Sequence, residues 1–316
     1  MIDQDEDDFE PSRGTRFKPG RPHKKNKWEI AASLRAAEHE LGATFGTSVR
    51  VTNAERAWLL EHLTPFHHAQ LVDDVLFRIK AGKEATVYGC SGHSSTGRAL
   101  VAAKLYRPRS HRSLKNTSQY QEGRSVLDEN GLATSAREWR LSKAIAKKSR
   151  LGLAAAQTSW LMHEFLVMKR LHAAGADVPE PIDHNEHALL MEFVGNERHA
   201  APTLNEVVLA STEAKELLQR VLHDIELLLG FGWVHGDLSA HNILYQEGRI
   251  ALIDFPQIVD CSRNPHARAL FVRDVRRVAG FFARAGARCD ADGLAQRLWE
   301  KYRVHRESFD ERDPAR

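Results

Sequence analysis

Two short acidic motifs, His235-Gly236-Asp237-Leu238-Ser239-Ala240-His241-Asn242 and Ile253-Asp254-Phe255-Pro256-Gln257, constrain this chain more than any other feature. The first follows an amphipathic helical pattern. The second closes an apolar stretch, Ile250-Ala251-Leu252-Ile253, that reads as a strand. This order puts one Asp on a loop where it can take a proton from a hydroxyl. An Asn five residues later and an Asp after the next strand supply oxygen ligands for a divalent cation held against phosphate groups. Either motif alone would be weak, but together, in this order, they point to phosphoryl transfer in a cleft between two lobes. In that reading Asp237 is the base, Asn242 and Asp254 are metal ligands, and His235 holds the loop rather than acting as a base.

Composition narrows the setting. The 316 residues, 42% hydrophobic and 28% charged, are ordinary for a globular chain with a substantial core. No apolar run approaches the length of a membrane span, and the acidic start Met1-Ile2-Asp3-Gln4-Asp5-Glu6 is unlike a signal peptide, so no membrane association is expected. Cys90, Cys261 and Cys289 are far apart and form no C-x-x-C pair, which suggests a reducing compartment, the cytoplasm, and no structural zinc. A net charge of +3 makes no global case for nucleic acid. Arg13, Arg16, Lys18, Arg21, Lys24, Lys25 and Lys27, interleaved with Pro and Gly, instead make residues 1–27 read as a disordered basic arm. Such an arm is either a solvated tail or a contact for RNA, ribosomal RNA included, or another anionic surface.

Residues 28–70 read as a helical extension: a short helix over 28–47 with Trp28, Ile30, Ala31 and Leu34, then a second capped by Thr52 or Asn53, carrying Trp58, Leu59, Leu60 and Leu63 and stopped near Pro65. Strand patterns follow at 71–79, 85–90, 99–106 and 188–194. A long polar stretch at 107–158 reads as a flexible insertion, and Trp160, Leu161, Phe165, Met168 and Leu171 predict a helix ending at Gly175. Ser211 is placed to cap a helix with Leu217, Leu218, Val221, Leu222, Ile225, Leu228 and Leu229 on one face and Gly230 just past its end. The resulting division is a small lobe at 71–190 and a hinge with a mainly helical lobe at 191–316.

Within the small lobe, Lys80-Ala81-Gly82-Lys83-Glu84-Ala85-Thr86-Val87 lies between two strands, where a phosphate-covering loop belongs. Gly82 lets backbone N–H groups approach phosphate oxygens, Lys80 and Lys83 add positive charge, and Val87 lies on the next strand. Lys104, on the apolar strand Val101-Ala102-Ala103-Lys104, points an ammonium into the cleft and requires a carboxylate partner. Glu164 is the candidate, with Glu122 and Glu138 as rivals. Met191, Glu192 and Phe193 form a hinge for a nucleotide base, and Leu244 and Ile253 are expected to contact the same nucleotide. Gly236 replaces the Arg that many protein kinases carry in this loop, and no A-P-E follows Asp254, so neither a phosphorylation switch nor a peptide-docking segment is expected.

Taken together, several segments resemble the RIO family of atypical serine/threonine kinases, most of all its bacterial branch. They are Gly82-Lys83-Glu84-Ala85 with Val87-Tyr88, the Lys104 strand, Val178-Pro179-Glu180-Pro181-Ile182, Met191-Glu192-Phe193-Val194-Gly195, the two acidic motifs, Asn264-Pro265-His266-Ala267 and Arg273-Asp274-Val275. The resemblance covers about residues 71–304. It implies an α+β, trimmed bilobal kinase fold: a small antiparallel sheet with a helix, over a mainly helical lobe. It also implies use of ATP with Mg²⁺ or Mn²⁺, autophosphorylation on Ser, and an Asp254 that is transiently phosphorylated if ATPase activity operates. The protein substrate stays open. Ser113, Thr117, Ser118 and Ser125 in the insertion are the autophosphorylation candidates. Two other readings compete: a small-molecule phosphotransferase of the aminoglycoside or choline kinase type, which Gly82-Lys83-Glu84 and Pro256-Gln257 disfavour, and a nucleotide-gated ribosome-assembly factor acting mainly by binding.

Overall fold

The computed structural model describes residues 45, 47–107 and 149–310. The basic arm, nearly all of the 28–47 segment, and the insertion as far as residue 148, with Glu122, Glu138 and the candidate Ser and Thr residues, lie outside the described residues. The first described helix, α1 (Asn53–His68), is capped by Thr52, whose side chain accepts the Glu55 N–H at 3.2 Å. It does not stop at Pro65 but runs one further turn with the proline inside. Proline removes one N–H from the ladder, whereas the extra turn keeps Phe66 1% exposed among Leu59, Leu63, Val72, Val75 and Tyr88. Burial of such a side chain contributes about 2–3 kcal/mol, enough to offset the lost bond.

Five strands form one antiparallel sheet in the order β1-β2-β3-β5-β4: β1 Val72–Ala81, β2 Ala85–Gly92, β3 Leu100–Tyr106, β4 Pro181–His184 and β5 Ala188–Glu192. Alternation along β3 separates its two faces. Val101, Ala103 and Leu105 join the cluster that packs on α1, while Tyr106 belongs to the larger cluster shared with the second lobe. Lys104, opposite Val87 on β2 and Leu189 on β5, therefore faces away from α1 and into the cleft.

Helix α2 spans Arg150–Ala173, so it starts well before Trp160 and takes in 150–158, which the sequence pattern assigned to the insertion. That stretch is polar only at its edges; Leu151-Gly152-Leu153-Ala154-Ala155-Ala156 is rich in helix formers. Gly175, at φ 83°, turns the chain out of the helix. In the second lobe α3 (Ser211–Gly230) begins after Ala210, and no side chain caps it. Ser211 is its first residue, with its hydroxyl directed at the Gly286 carbonyl, 3.5 Å away. Gly230 is still helical, and Gly232, at φ 75°, supplies the left-handed residue beyond it. Two small antiparallel pairs follow, β6 (Trp233–Val234) with β9 (Val259–Asp260), and β7 (Ile243–Gln246) with β8 (Arg249–Leu252). Helices α4 (Ala267–Arg284) and α5 (Ala291–Asp310) complete the lobe. No helix among the described residues is long and apolar enough to cross a membrane.

One polar group is buried at a cost. Asp224 on α3 is 1% exposed; its Oδ1 accepts the Asp177 N–H at 2.9 Å, but its Oδ2 has no partner among the described residues. Burial pushes its carboxyl up to about 7, against the opposing Asp177 N–H bond. Because the folded pKa lies above the unfolded one, native stability falls as pH rises from about 4 through about 7. Asp224→Asn is therefore expected to stabilise the protein by about 1–2 kcal/mol at pH 8, with the gain shrinking towards pH 5. Urea unfolding of both proteins across that range measures it; a difference independent of pH would refute the assignment.

Candidate active site

Lys104 stands at the centre of a buried ionic group. Its Nζ lies 2.8 Å from Glu164 Oε1 on α2 and 2.8 Å from Asp254 Oδ1, just past β8. The Lys104 and Glu164 side chains are 9% and 1% exposed, whereas that of Asp254 is 45% exposed. Tyr106 donates its hydroxyl to the other Glu164 oxygen, and the Lys104 ammonium sits 5.3 Å over the Tyr106 ring. Burial by itself would lower the Lys104 pKa, but Asp254 and then Glu164 outweigh it and hold the ammonium protonated. Burial raises the Glu164 carboxyl, with Lys104 opposing, while Lys104 overcomes the same effect at Asp254 and holds its carboxyl low.

The loop after β6 is fixed from three sides. His235 is buried, and burial lowers its pKa, which keeps the ring neutral. Its Nε2 lies 3.1 Å from the Ile253 carbonyl and its Nδ1 3.4 Å from the Asp237 backbone nitrogen, so it joins this loop to the Asp254 segment. Asn242 adds a second link: its Nδ2 donates to the Asp237 carbonyl at 2.9 Å, and its own carbonyl accepts the Ile253 N–H at 3.0 Å. Asp274 of α4, 3% exposed, accepts the N–H groups of Gly236 and Leu238, and burial pushes its carboxyl up to about 7. Arg273 donates to the Gly236 carbonyl. Finally, Arg277 of α4 donates to Asp237 Oδ1 at 2.8 Å, in a pair whose side chains are 43% and 38% exposed.

A cleft of about 870 Å³ separates the lobes. Lys80, Gly82, Lys83, Val87 and Lys104 line it from the sheet, and Met191, Glu192 and Phe193 from the connection between lobes. Asn242, Leu244, Ile253 and Asp254 line the opposite wall, with Glu164 behind Lys104. Asp237 is not part of that lining. The cleft also takes in Thr203, Glu206, His241 and Gln257, which the sequence reading left out. Asp274, Arg273 and Arg277 were likewise given no role, although Asp274 falls on the apolar stripe of Leu270, Phe271, Val275 and Val278, where a carboxylate needs donors to be tolerated. Arg277 left no such signal.

The cleft fits a hard divalent cation. Asn242 commits its amide nitrogen to Asp237 and so has its Oδ1 left, and Asp254 has one oxygen beyond the one paired with Lys104. Among the described residues no group of three or more His, Cys, Asp or Glu gathers into a metal cage.

A family model for the RIO domain matches residues 86–294. The RIO-type serine/threonine-protein kinase Rio1 of Haloferax volcanii is 32% identical over 217 residues, 68% of this chain and 66% of that protein. Serine/threonine-protein kinase RIO1 of Homo sapiens is 31% identical over 207 residues, 65% of this chain and 33% of the relative. Serine/threonine-protein kinase RIO3 of Homo sapiens is 35% identical over 130 residues, 41% of this chain and 25% of the relative. The chain thus spans 66% or less of the length of these relatives.

Proposed function

The chain belongs to the RIO family, and from that premise we propose that it is an atypical serine/threonine protein kinase that uses ATP with Mg²⁺ or Mn²⁺ in a reducing, cytoplasmic setting. The observation that carries this reading is Lys104 held 2.8 Å from both Glu164 and Asp254 inside an interlobe cleft. The Lys104 ammonium binds the α- and β-phosphates, and Glu164 keeps it aimed. The turn at Lys80–Lys83 covers the phosphates, and Met191, Glu192, Phe193, Leu244 and Ile253 enclose the base. A cation on Asn242 and Asp254 would supply charge neutralisation at the transferred phosphoryl group. Asp237 accepts the proton of the Ser or Thr hydroxyl as its oxygen bonds to the γ-phosphorus and the bond to the ADP oxygen breaks. In this reading residues 71–190 and 191–316 are the two lobes of the catalytic unit.

The decisive experiment is purified protein with γ-labelled ATP, separating labelled protein from free phosphate. Label on Ser or Thr is the expected result; release of free phosphate alone would overturn the kinase reading. A second expectation concerns the ion pair. Lys104→Ala and Glu164→Ala should each lower transfer at least about tenfold, and the double variant should lose little more, because either change leaves the other group buried and misaligned. Fully additive losses would mean that the two residues act independently.

A further inference from the structure

Helix α2 grips the Asp254 segment at more points than the ion pair requires. Trp160 precedes Glu164 by one turn and so lies on the same helix face. Its indole Nε1–H donates to the Pro256 carbonyl at 2.6 Å. Glu164 itself accepts the backbone N–H of Phe255. The Trp160 ring lies 6.1 Å from that of Tyr106, whose hydroxyl donates to Glu164. Successive residues are thus each held to the same assembly: Asp254 through Lys104, Phe255 through its N–H, and Pro256 through its carbonyl.

Asp254 needs such support. Its backbone sits at φ 71°, a left-handed conformation that residues with a side chain rarely keep unaided. Proline at 256 has no N–H, so its carbonyl is its only backbone group able to take a hydrogen bond, and its ring fixes the approach of the chain. Phe255 is fully buried, with its ring 5.0 Å from that of His235, and anchors the segment in the core.

We infer that Trp160 is a positioning residue that clamps the Asp254–Pro256 segment to α2, so that the phosphate end of the cleft is assembled before any ligand enters. This rests on the kinase reading for its purpose but not for its existence. It assigns the half-turn after Asp254 a single, locked arrangement.

Trp160→Phe keeps a ring against Tyr106 and deletes the donor. In the ligand-free protein, hydrogen exchange at the Phe255 amide should become about fivefold faster, the factor expected for loss of one ordinary hydrogen bond. Binding of Mg²⁺·ADP should weaken by a similar factor, about fivefold, while ADP without metal binds as in the wild type, a split that a general loss of packing would not produce. Unchanged Phe255 exchange, or equal weakening with and without metal, would overturn the clamp. Should the variant fail to fold, the wild-type indole N–H of Trp160 gives the answer by itself. Exchange as slow as that of the Phe255 amide supports the clamp, and exchange at the rate of an exposed indole refutes it. Absence of Mg²⁺·ADP binding by the wild type would count against the kinase reading, and the exchange measurements would still judge the clamp.

Discussion

Asp237→Asn is expected to lower phosphoryl transfer to protein by about 10²–10⁴-fold while leaving nucleotide affinity nearly unchanged. The separation follows from the architecture. Asp237 does not line the interlobe cleft, whereas Lys104, the Lys80–Lys83 turn and the hinge residues do. Its backbone is held independently of its carboxylate, through the Asn242 amide on its carbonyl and His235 on its N–H. The substitution changes a proton acceptor into a group that cannot accept one and leaves the loop in place. Stability should shift by less than about 1 kcal/mol, because the ion pair with Arg277 is exposed on both sides. Calorimetric titration with ADP alongside the labelled-ATP assay measures both halves; near-normal transfer by the variant would remove Asp237 from the role of base.

Asp254→Asn should act by a different route and depress both metal-dependent nucleotide binding and turnover, the latter by about 10²-fold or more. Its carboxylate is 45% exposed, open to the cleft, and 2.8 Å from Lys104. The variant loses one negative charge at the point where a dication is to be held. Lys104 keeps Glu164 as its partner, so the buried ammonium is not orphaned and the protein should still fold. ADP binding without metal should change little. Mg²⁺-dependent binding equal to that of the wild type would refute the metal role. If Asp254 is also phosphorylated during turnover, the wild type should carry a hydroxylamine-labile label that the variant lacks, and persistence of that label in the variant would exclude it.

Much of this site can be traced along the sequence because its components are local. The His235–Asn242 loop, the position of Asp254 at the end of an apolar run, and the alternation that turns Lys104 away from Val101, Ala103 and Leu105 each depend on a few neighbouring residues. Strand and helix periodicity encode which face of an element is buried, and that is enough to direct these groups at a common cleft. Single-residue stop and cap signals were less faithful to the helix ends. Pro65 reads as a stop, yet burial of Phe66 carries α1 past it, and Ser211 reads as a cap, yet Ala210 occupies that place.

What the tertiary structure alone decided are the pairings between elements distant in the chain. Three carboxylates were eligible partners for Lys104 by residue type and position; packing of α2 beneath the sheet brings Glu164 there, 60 residues away. Arg277 meets Asp237 across 40 residues, and Trp160 meets Pro256 across 96. Nothing in the spacing of these residues announces the contact, because a side chain's partner depends on how two elements are set against each other, and that is settled by packing of the whole core. The sequence by itself determined which groups are candidates for the chemistry and which way most of them face; the fold decided what holds each of them in place.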